Sequence, residues 1–200
     1  METNTTEPAG GGTRAALLAA AAALLEAGGM DAVTLRAVGE HAGVSRQAPY
    51  KHFADKTELL SVLAAGYFRT LGAEVRAAAA AETDPVRRLD AMCGAYVRYA
   101  LDAPRRYRLM FGPETRGTLH PQVQEQAYAL GLQFVLAVAA CQEAGRFSGG
   151  DPMPLASLLY ATCHGSVDLL LAGHAKDASG DPARVLSLLL AELDRGGPTA

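Results

Sequence analysis

Three times along the chain an aspartate is followed directly by a proline: Asp84-Pro85, Asp151-Pro152 and Asp181-Pro182. Asp is a strong helix N-cap, and proline suits the first helical position, where its missing N–H would have had no helical partner. Each pair therefore predicts the start of a helix. The sequence between them leaves little room for anything else. Half of the 200 residues are hydrophobic, only 6% are aromatic and Trp is absent, so the core must be mainly Leu, Ala and Val. Ala and Leu favour helix over strand, and few segments alternate with the period two of a half-buried strand. The expectation is an all-α fold.

The remaining boundaries follow from similar signals. Thr13 is read as the cap of a first helix that runs through the alanines to Ala27, with Gly28 and Gly29 stopping it. Leu17, Leu18, Leu24 and Leu25 recur at a seven-residue interval and mark one face. Thr34 is predicted to cap a second helix, LRAVGEHA, and Gly43 to supply a left-handed turn. Ser45 begins a very short third helix that ends near Phe53. Pro49 is tolerated only in the first turn of that helix, which puts its start close to Arg46 or Gln47. Asp55 and Glu58 have the spacing of a capping box and open a long fourth helix reaching about Ala81. Further helices are expected over 85–101, 104–111, 121–144, 153–173 and 182–194, nine in all. Residues 13–56 read as a small three-helix unit and 57–195 as a larger six-helix domain, flanked by disordered tails over 1–12 and 196–200. The fourth helix is the connection between the units.

Composition excludes several function classes. Cys93, Cys141 and Cys163 are far apart and sit in apolar helical sequence without CxxC or His/Cys ligand spacing. They read as reduced, buried thiols, and neither metal nor cofactor is expected. METNTTEPAGGG has no signal-peptide pattern. The most apolar segment, LASLLYATCHGSVDLLLAG, carries His164 and Asp168 near its centre, so a buried helix is expected there and no membrane span. These features suit a cytoplasmic protein. No Ser or Cys lies in a nucleophile turn, no HExxH occurs, and GEHAG and LAGHA lack the context of a phosphate loop. Catalysis is not expected.

The segment GVSRQAPYKHFADKTELL concentrates polar, hydrogen-bonding side chains in an otherwise apolar chain. A short helix, a glycine turn and another short helix form the helix-turn-helix pattern, whose second helix enters the DNA major groove. The net charge is −3 and the pI about 5.9, but Ser45 to Lys56 holds Arg46, Lys51 and Lys56 against Asp55 alone. DNA responds to such a local basic surface. VTLRAVGEHAGVSRQAPYKHFADKTELL resembles the N-terminal DNA-binding domain of the TetR family of transcriptional regulators, over roughly residues 14–65. The turn, the YKHF core and the DKTELL start of the next helix follow the family's order. The resemblance implies that Thr34 contacts a phosphate, that Arg46 and Gln47 reach into the groove, and that Tyr50, His52 and Lys56 meet the backbone. Ser45 can donate to phosphates or base edges, Lys51 faces solvent or phosphate, and Pro49 fixes where the DNA-reading end begins. Val44 and Phe53 would pack the small core.

YRLMFG (107–112) and YATCHG (160–165) resemble the WHG-type ligand domain of the same family, with Tyr160 where the motif has Trp, followed by His164 and Gly165. The helix over 153–173 is apolar nearly all round, and a helix of that kind must be covered on every side. A second copy of the chain is the simplest cover. The resemblance likewise implies a homodimer through the last two helices of each chain, a palindromic double-stranded DNA operator and release by a small, mostly apolar effector. Candidate residues for its pocket are Tyr96, Tyr99, Met110, Phe111, Tyr128, Phe134, Cys163 and His164. His164 lies one helical turn before Asp168, a spacing that predicts a His–Asp pair.

Overall fold

The computed structural model describes residues 10–112, 120–174 and 182–195. Among them it contains nine α-helices and no strand. They are α1 (Gly10–Gly28), α2 (Leu35–His41), α3 (Ala48–His52), α4 (Lys56–Ala80), α5 (Pro85–Asp102), α6 (Pro104–Phe111), α7 (Pro121–Glu143), α8 (Pro152–Leu171) and α9 (Pro182–Arg195). Of the expected tails over 1–12 and 196–200, residues 1–9 and 196–200 lie outside the described residues, as does the cap at Asp181. From α4 onward the predicted boundaries agree with the structure to within one or two residues.

The capping chemistry explains that agreement. Asp84 Oδ1 accepts from the backbone N–H groups of Val86 and Arg87, both at 3.0 Å, and Asp151 Oδ1 accepts from Met153 at 3.0 Å. Thr34 Oγ1 accepts from the Ala37 N–H at 3.1 Å. Asp55 Oδ1 accepts from Glu58 N–H at 2.8 Å, and the Glu58 carboxylate accepts from Ala54 N–H at 2.7 Å. The capping box is thus closed, with its return bond shifted one residue toward the N-terminus. Two features near the start of the chain differ from expectation. The first helix begins at Gly10, ahead of Thr13. Extension onto glycine costs only about 1 kcal/mol per residue relative to Ala. A 3-10 turn over Met30–Ala32 follows α1.

Helix α3 is also shorter than read. It starts at Ala48, while Arg46 and Gln47 lie in a turn that closes when Ala48 N–H donates to Ser45 O at 2.9 Å. The reason is Pro49, which is buried in the second position of the helix. Its ring packs against Gly39 of α2, where an added Cβ would lie 2.9 Å from Pro49 Cγ. Gly43, at φ 66°, turns the chain between the two helices.

Helices α1 to α3 pack on one another, and α1 packs on α4. α4 then runs into the larger domain between α5, α6 and α7, while α5 also meets α8 and α9. One continuous apolar core reaches from Leu17 to Leu190. Behind α7, Arg146 spans its turn to both neighbours: Nη1 donates to Asp84 Oδ2 at 2.7 Å, and Nε and Nη2 grip the Asp194 carboxylate at 2.9 and 2.6 Å. The two backbone donors and this guanidinium hold the Asp84 carboxyl below its ordinary range, with the Arg87 N–H the largest cause. No helix among the described residues is long and apolar enough to cross a membrane.

Two predictions follow from these contacts. Alanine ordinarily gains about 1 kcal/mol over glycine within a helix, but Gly39→Ala must push a rigid proline ring. We expect a net loss of about 1–3 kcal/mol in urea melts, the usual range for overpacking. Most of that loss should vanish in a Pro49→Ala background, and an unchanged loss there would show that the proline contact is not its cause. For Asp84 the depressed folded-state value means stability that is present above the unfolded carboxyl value near pH 4 and lost as pH falls through the folded value. The acid limb of a melting-temperature profile should therefore be shallower in Asp84→Asn than in the native protein, and parallel limbs would contradict this.

Candidate nucleic-acid interface and aromatic cluster

Ser45, Arg46, Gln47, Tyr50 and Lys51 are all exposed, and Tyr50 leaves 54% of its surface free despite being aromatic. The polar set therefore rises from the turn ahead of α3 and from its outward side, while Pro49 and Phe53 are buried beneath it. Val44 is half-buried against the core. The Gln47 side chain makes no capping bond to α3, which leaves its amide for an external partner. The Arg14 guanidinium lies 5.3 Å above the Phe53 ring and closes the small core on the α1 side.

The flanking residues are less free. Thr34 is exposed at the start of α2, and its oxygen is engaged in the cap, so its hydroxyl hydrogen is what remains to donate. His52 is half-buried. Lys56 Nζ donates to the carbonyl of Met30 at 2.7 Å, a partner 26 residues away that no local spacing foretells. One of the three ammonium donors is thereby used, and the charge is held at the start of α4. Phosphate oxygens suit such ammonium and hydroxyl donors, and base edges suit the Gln amide and the Arg fork.

The candidate pocket residues do not form one set. Tyr96, Phe111, Phe134 and His164 come together with Tyr107, Tyr160 and Phe68 in a nest of rings whose centroids lie 4.8 to 6.5 Å apart. Met110 and Cys163 are buried in the same core. Tyr99 points elsewhere, its hydroxyl donating to the Tyr67 carbonyl at 3.4 Å. Tyr128 is 69% exposed and lines an apolar groove between α7 and α8. That groove, about 140 Å³ in volume, ends on Tyr160, so it abuts the ring nest. Thiols meet beside it: a hydrogen bond with Cys163, then burial, pushes the Cys93 thiol well up.

His164 is where the geometry departs most from expectation. Its Nε2 lies 3.6 Å from Asp168 Oδ2, within ion-pair range but too long for a hydrogen bond. The short contacts are at Nδ1, with the Tyr107 hydroxyl at 2.6 Å and the Tyr96 hydroxyl at 3.1 Å. One ring nitrogen has one lone pair. With the ring proton on Nε2, Tyr107 donates to Nδ1 and Tyr96 bonds to the Tyr107 hydroxyl. Burial disfavours the phenolates, raising Tyr96 and Tyr107 well above the ordinary tyrosine range and Tyr160 to about 12.

The two regions touch where α6 meets the end of α1. Arg106 Nε donates to the Glu26 carboxylate at 2.5 Å, and Arg105 donates to the Glu26 carbonyl. The Arg106 guanidinium also lies 5.4 Å over the ring of Tyr67, whose buried hydroxyl has no partner. No sequence signal joined Glu26 to Arg106.

Known proteins fit this arrangement. Residues 17–63 match the family model of bacterial regulatory proteins of the tetR family, and residues 89–193 match the tetracyclin repressor-like C-terminal domain. A protein of unknown function from Rhodococcus sp. RHA1 is similar over its whole length: 32% identity, 99% of this chain and 100% of that one covered, TM-score 0.83. A bacterial regulatory protein of the tetR family from Rhodococcus RHA1 shares the fold at 21% identity, with 94% and 98% of the two chains covered and a TM-score of 0.66. RolR, solved in complex with resorcinol, does so at 19% identity, with 92% and 88% covered and a TM-score of 0.69. No curated protein matches the chain. With both family models matched in order and the helix-turn-helix in place, the chain belongs to the TetR family of bacterial regulatory proteins, and it is a DNA-binding transcriptional regulator and not an enzyme.

Proposed function

We propose that the chain is a ligand-responsive repressor, which binds a palindromic operator in the cytoplasm as a homodimer and is released by a small, mostly apolar effector. The observation that carries this reading is the exposed set Ser45, Arg46, Gln47, Tyr50 and Lys51, mounted on buried Pro49 and Phe53. Arg46 and Gln47 read base edges. Thr34, Ser45, Tyr50, Lys51, His52 and Lys56 hold the phosphate backbone. Pro49 contributes by placing the helix, since its own ring is covered. Residues 13–56 act as the DNA-binding domain and 57–195 as the effector and dimerisation domain.

The dimer is supported by the outer faces of α8 and α9. Leu158, Leu169 and Leu188 are each more than half exposed, and Ala161 and Gly165 lie exposed between the first two. Large side chains alternating with small ones suit close helix packing against a second copy, and a two-fold partner would set the half-site spacing. The effector site is supported by the ring nest and by the apolar groove that ends on Tyr160. RolR, a fold neighbour, holds resorcinol in its crystal structure, and a ring-sized effector is proposed for this chain as well. Glu26 with Arg105 and Arg106 is the proposed relay from that domain to α1.

Selection of bound duplexes from a random pool tests the reading as a whole. A palindromic consensus is expected, and recovery of a single half-site would exclude the dimeric mode. On the selected duplex Gln47→Ala should lose about 1–3 kcal/mol while affinity for random duplex stays unchanged. Lys56→Ala should weaken binding to both duplexes and reduce the salt slope by about one. Because Met30 loses its donor in that variant, its melting temperature is measured alongside. Equal losses on both duplexes for Gln47→Ala would remove its base-reading role.

Glu26→Gln tests the relay. The ion pair is partly exposed, so its loss should change stability by less than about 1 kcal/mol. A compound found by thermal shift to bind the native protein should lower operator affinity by about 5–150-fold, the usual size of such coupling. In Glu26→Gln it should bind as before yet release DNA poorly. Undiminished release would place the relay elsewhere.

A further inference from the structure

A second groove, about 430 Å³ in volume, lies between the last part of α4, the first turns of α5 and the second half of α7. Its size is that of a small-molecule site. Met92, Leu136 and Ala140 form apolar walls, and Leu136 is 61% exposed. Arg76 and Arg88 line the same groove, and no acidic residue does. It uses a different side of α7 from the groove at Tyr128 and Tyr160.

The two guanidiniums are held in place by neutral oxygens. Gln133, with its amide turned to satisfy both partners, donates to the Gly72 carbonyl at 3.2 Å and accepts from Arg76 Nη1 at 2.9 Å. Gly72 makes this approach possible, since an added Cβ would lie 3.1 Å from the Gln133 amide and 3.5 Å from Arg76 Nη1. Arg88 Nε donates to the Glu82 carbonyl at 2.7 Å. Neither arginine forms an ion pair among the described residues, in contrast to Arg36, Arg106, Arg146 and Arg195. Two fixed, uncompensated cations therefore stand beside an apolar trough.

We infer that this groove binds a small amphipathic carboxylate, whose hydrocarbon body lies against Met92, Leu136 and Ala140 and whose head meets Arg76 and Arg88. A guanidinium presents a planar donor fork that matches a carboxylate, and charge-assisted bonds of this kind are about twice as strong as neutral ones. An apolar body alone would leave both charges unused, and a free inorganic anion would leave the trough wet. The site is separate from the proposed effector chamber and does not depend on it.

The test uses the full chain and sodium decanoate below its micelle concentration, followed by calorimetry, with decanol and decyltrimethylammonium as comparators. Decanoate should bind at least about tenfold more tightly than decanol, the effect of one good charge-assisted contact, and the cationic chain should not bind. Arg76→Gln/Arg88→Gln should lose that tenfold preference while decanol binding is retained. Ala140→Leu, which fills the trough and leaves both guanidiniums, should weaken decanoate and decanol together. Equal affinity for decanoate and decanol in the native protein would overturn the proposal. So would decanoate affinity that survives the double substitution, because it would place the acid in another site. If circular dichroism shows the double variant to be unfolded, Ala140→Leu decides alone, and undiminished decanoate binding there would overturn the proposal.

Discussion

Everything else in the molecule depends on the burial of one long stripe along α4. Leu59, Leu63, Tyr67, Phe68, Leu71 and Val75 lie on it, and α1, α5, α6 and α7 all pack there. A fully buried side chain of this size contributes about 1.5–3 kcal/mol, so the stripe supplies the framework for the small unit and the larger domain together. A helix of 25 residues is about 37 Å long and does not bend without a specific cause. Its two ends therefore cannot move independently. Its near end holds Lys56, whose Nζ donates to the Met30 carbonyl, and its far end lies among α5 and α7.

The same stripe gives the aromatic nest its floor. Burying the two phenols of Tyr96 and Tyr107 in an apolar core is costly unless each hydroxyl finds a partner. Tyr96, Tyr107 and His164 satisfy one another, so the rings pack closely without a hydroxyl left unpaired between them. The raised phenol values keep these tyrosine hydroxyls protonated at physiological pH. A guest in the adjoining groove meets the Tyr160 ring before it meets any of these bonds, which suits an apolar body better than a charged one.

Local chemistry was legible in the sequence and long-range chemistry was not. Asp84, Asp151, Thr34 and Asp55 act on backbone groups two or three residues away, and their helices begin where the residue types predict. Pro49 gave the start of α3 only approximately, because its partner is Gly39 on another helix, and that contact fixes the helix two residues later than Arg46. His164 shows the limit most clearly. Its spacing from Asp168 is a strong local signal, yet its short contacts come from Tyr107 and Tyr96, 57 and 68 residues away. Lys56 with Met30, Glu26 with Arg106, and Arg146 with Asp84 and Asp194 are of the same type. Each joins residues that only the tertiary packing of the helices brings together. In the recognition segment the residue types were readable because few core helices carry so many exposed polar groups. In the pocket, aromatic residues serve packing and binding alike, so residue type does not separate Tyr99, bonded to the Tyr67 carbonyl, and Tyr128, on the wall of the groove, from the rings of the nest.

The seating of Pro49 on Gly39 has a further consequence. Orientation of α3 is determined by two buried, uncharged residues and by Phe53, none of which presents a side chain to solvent. The exposed positions at Ser45, Arg46 and Gln47 bear no part of that packing. Stability and the proposed base reading therefore reside in different side chains only a few residues apart. On the proposed reading, surface substitution at these positions changes the target sequence and leaves the Pro49–Gly39 contact untouched.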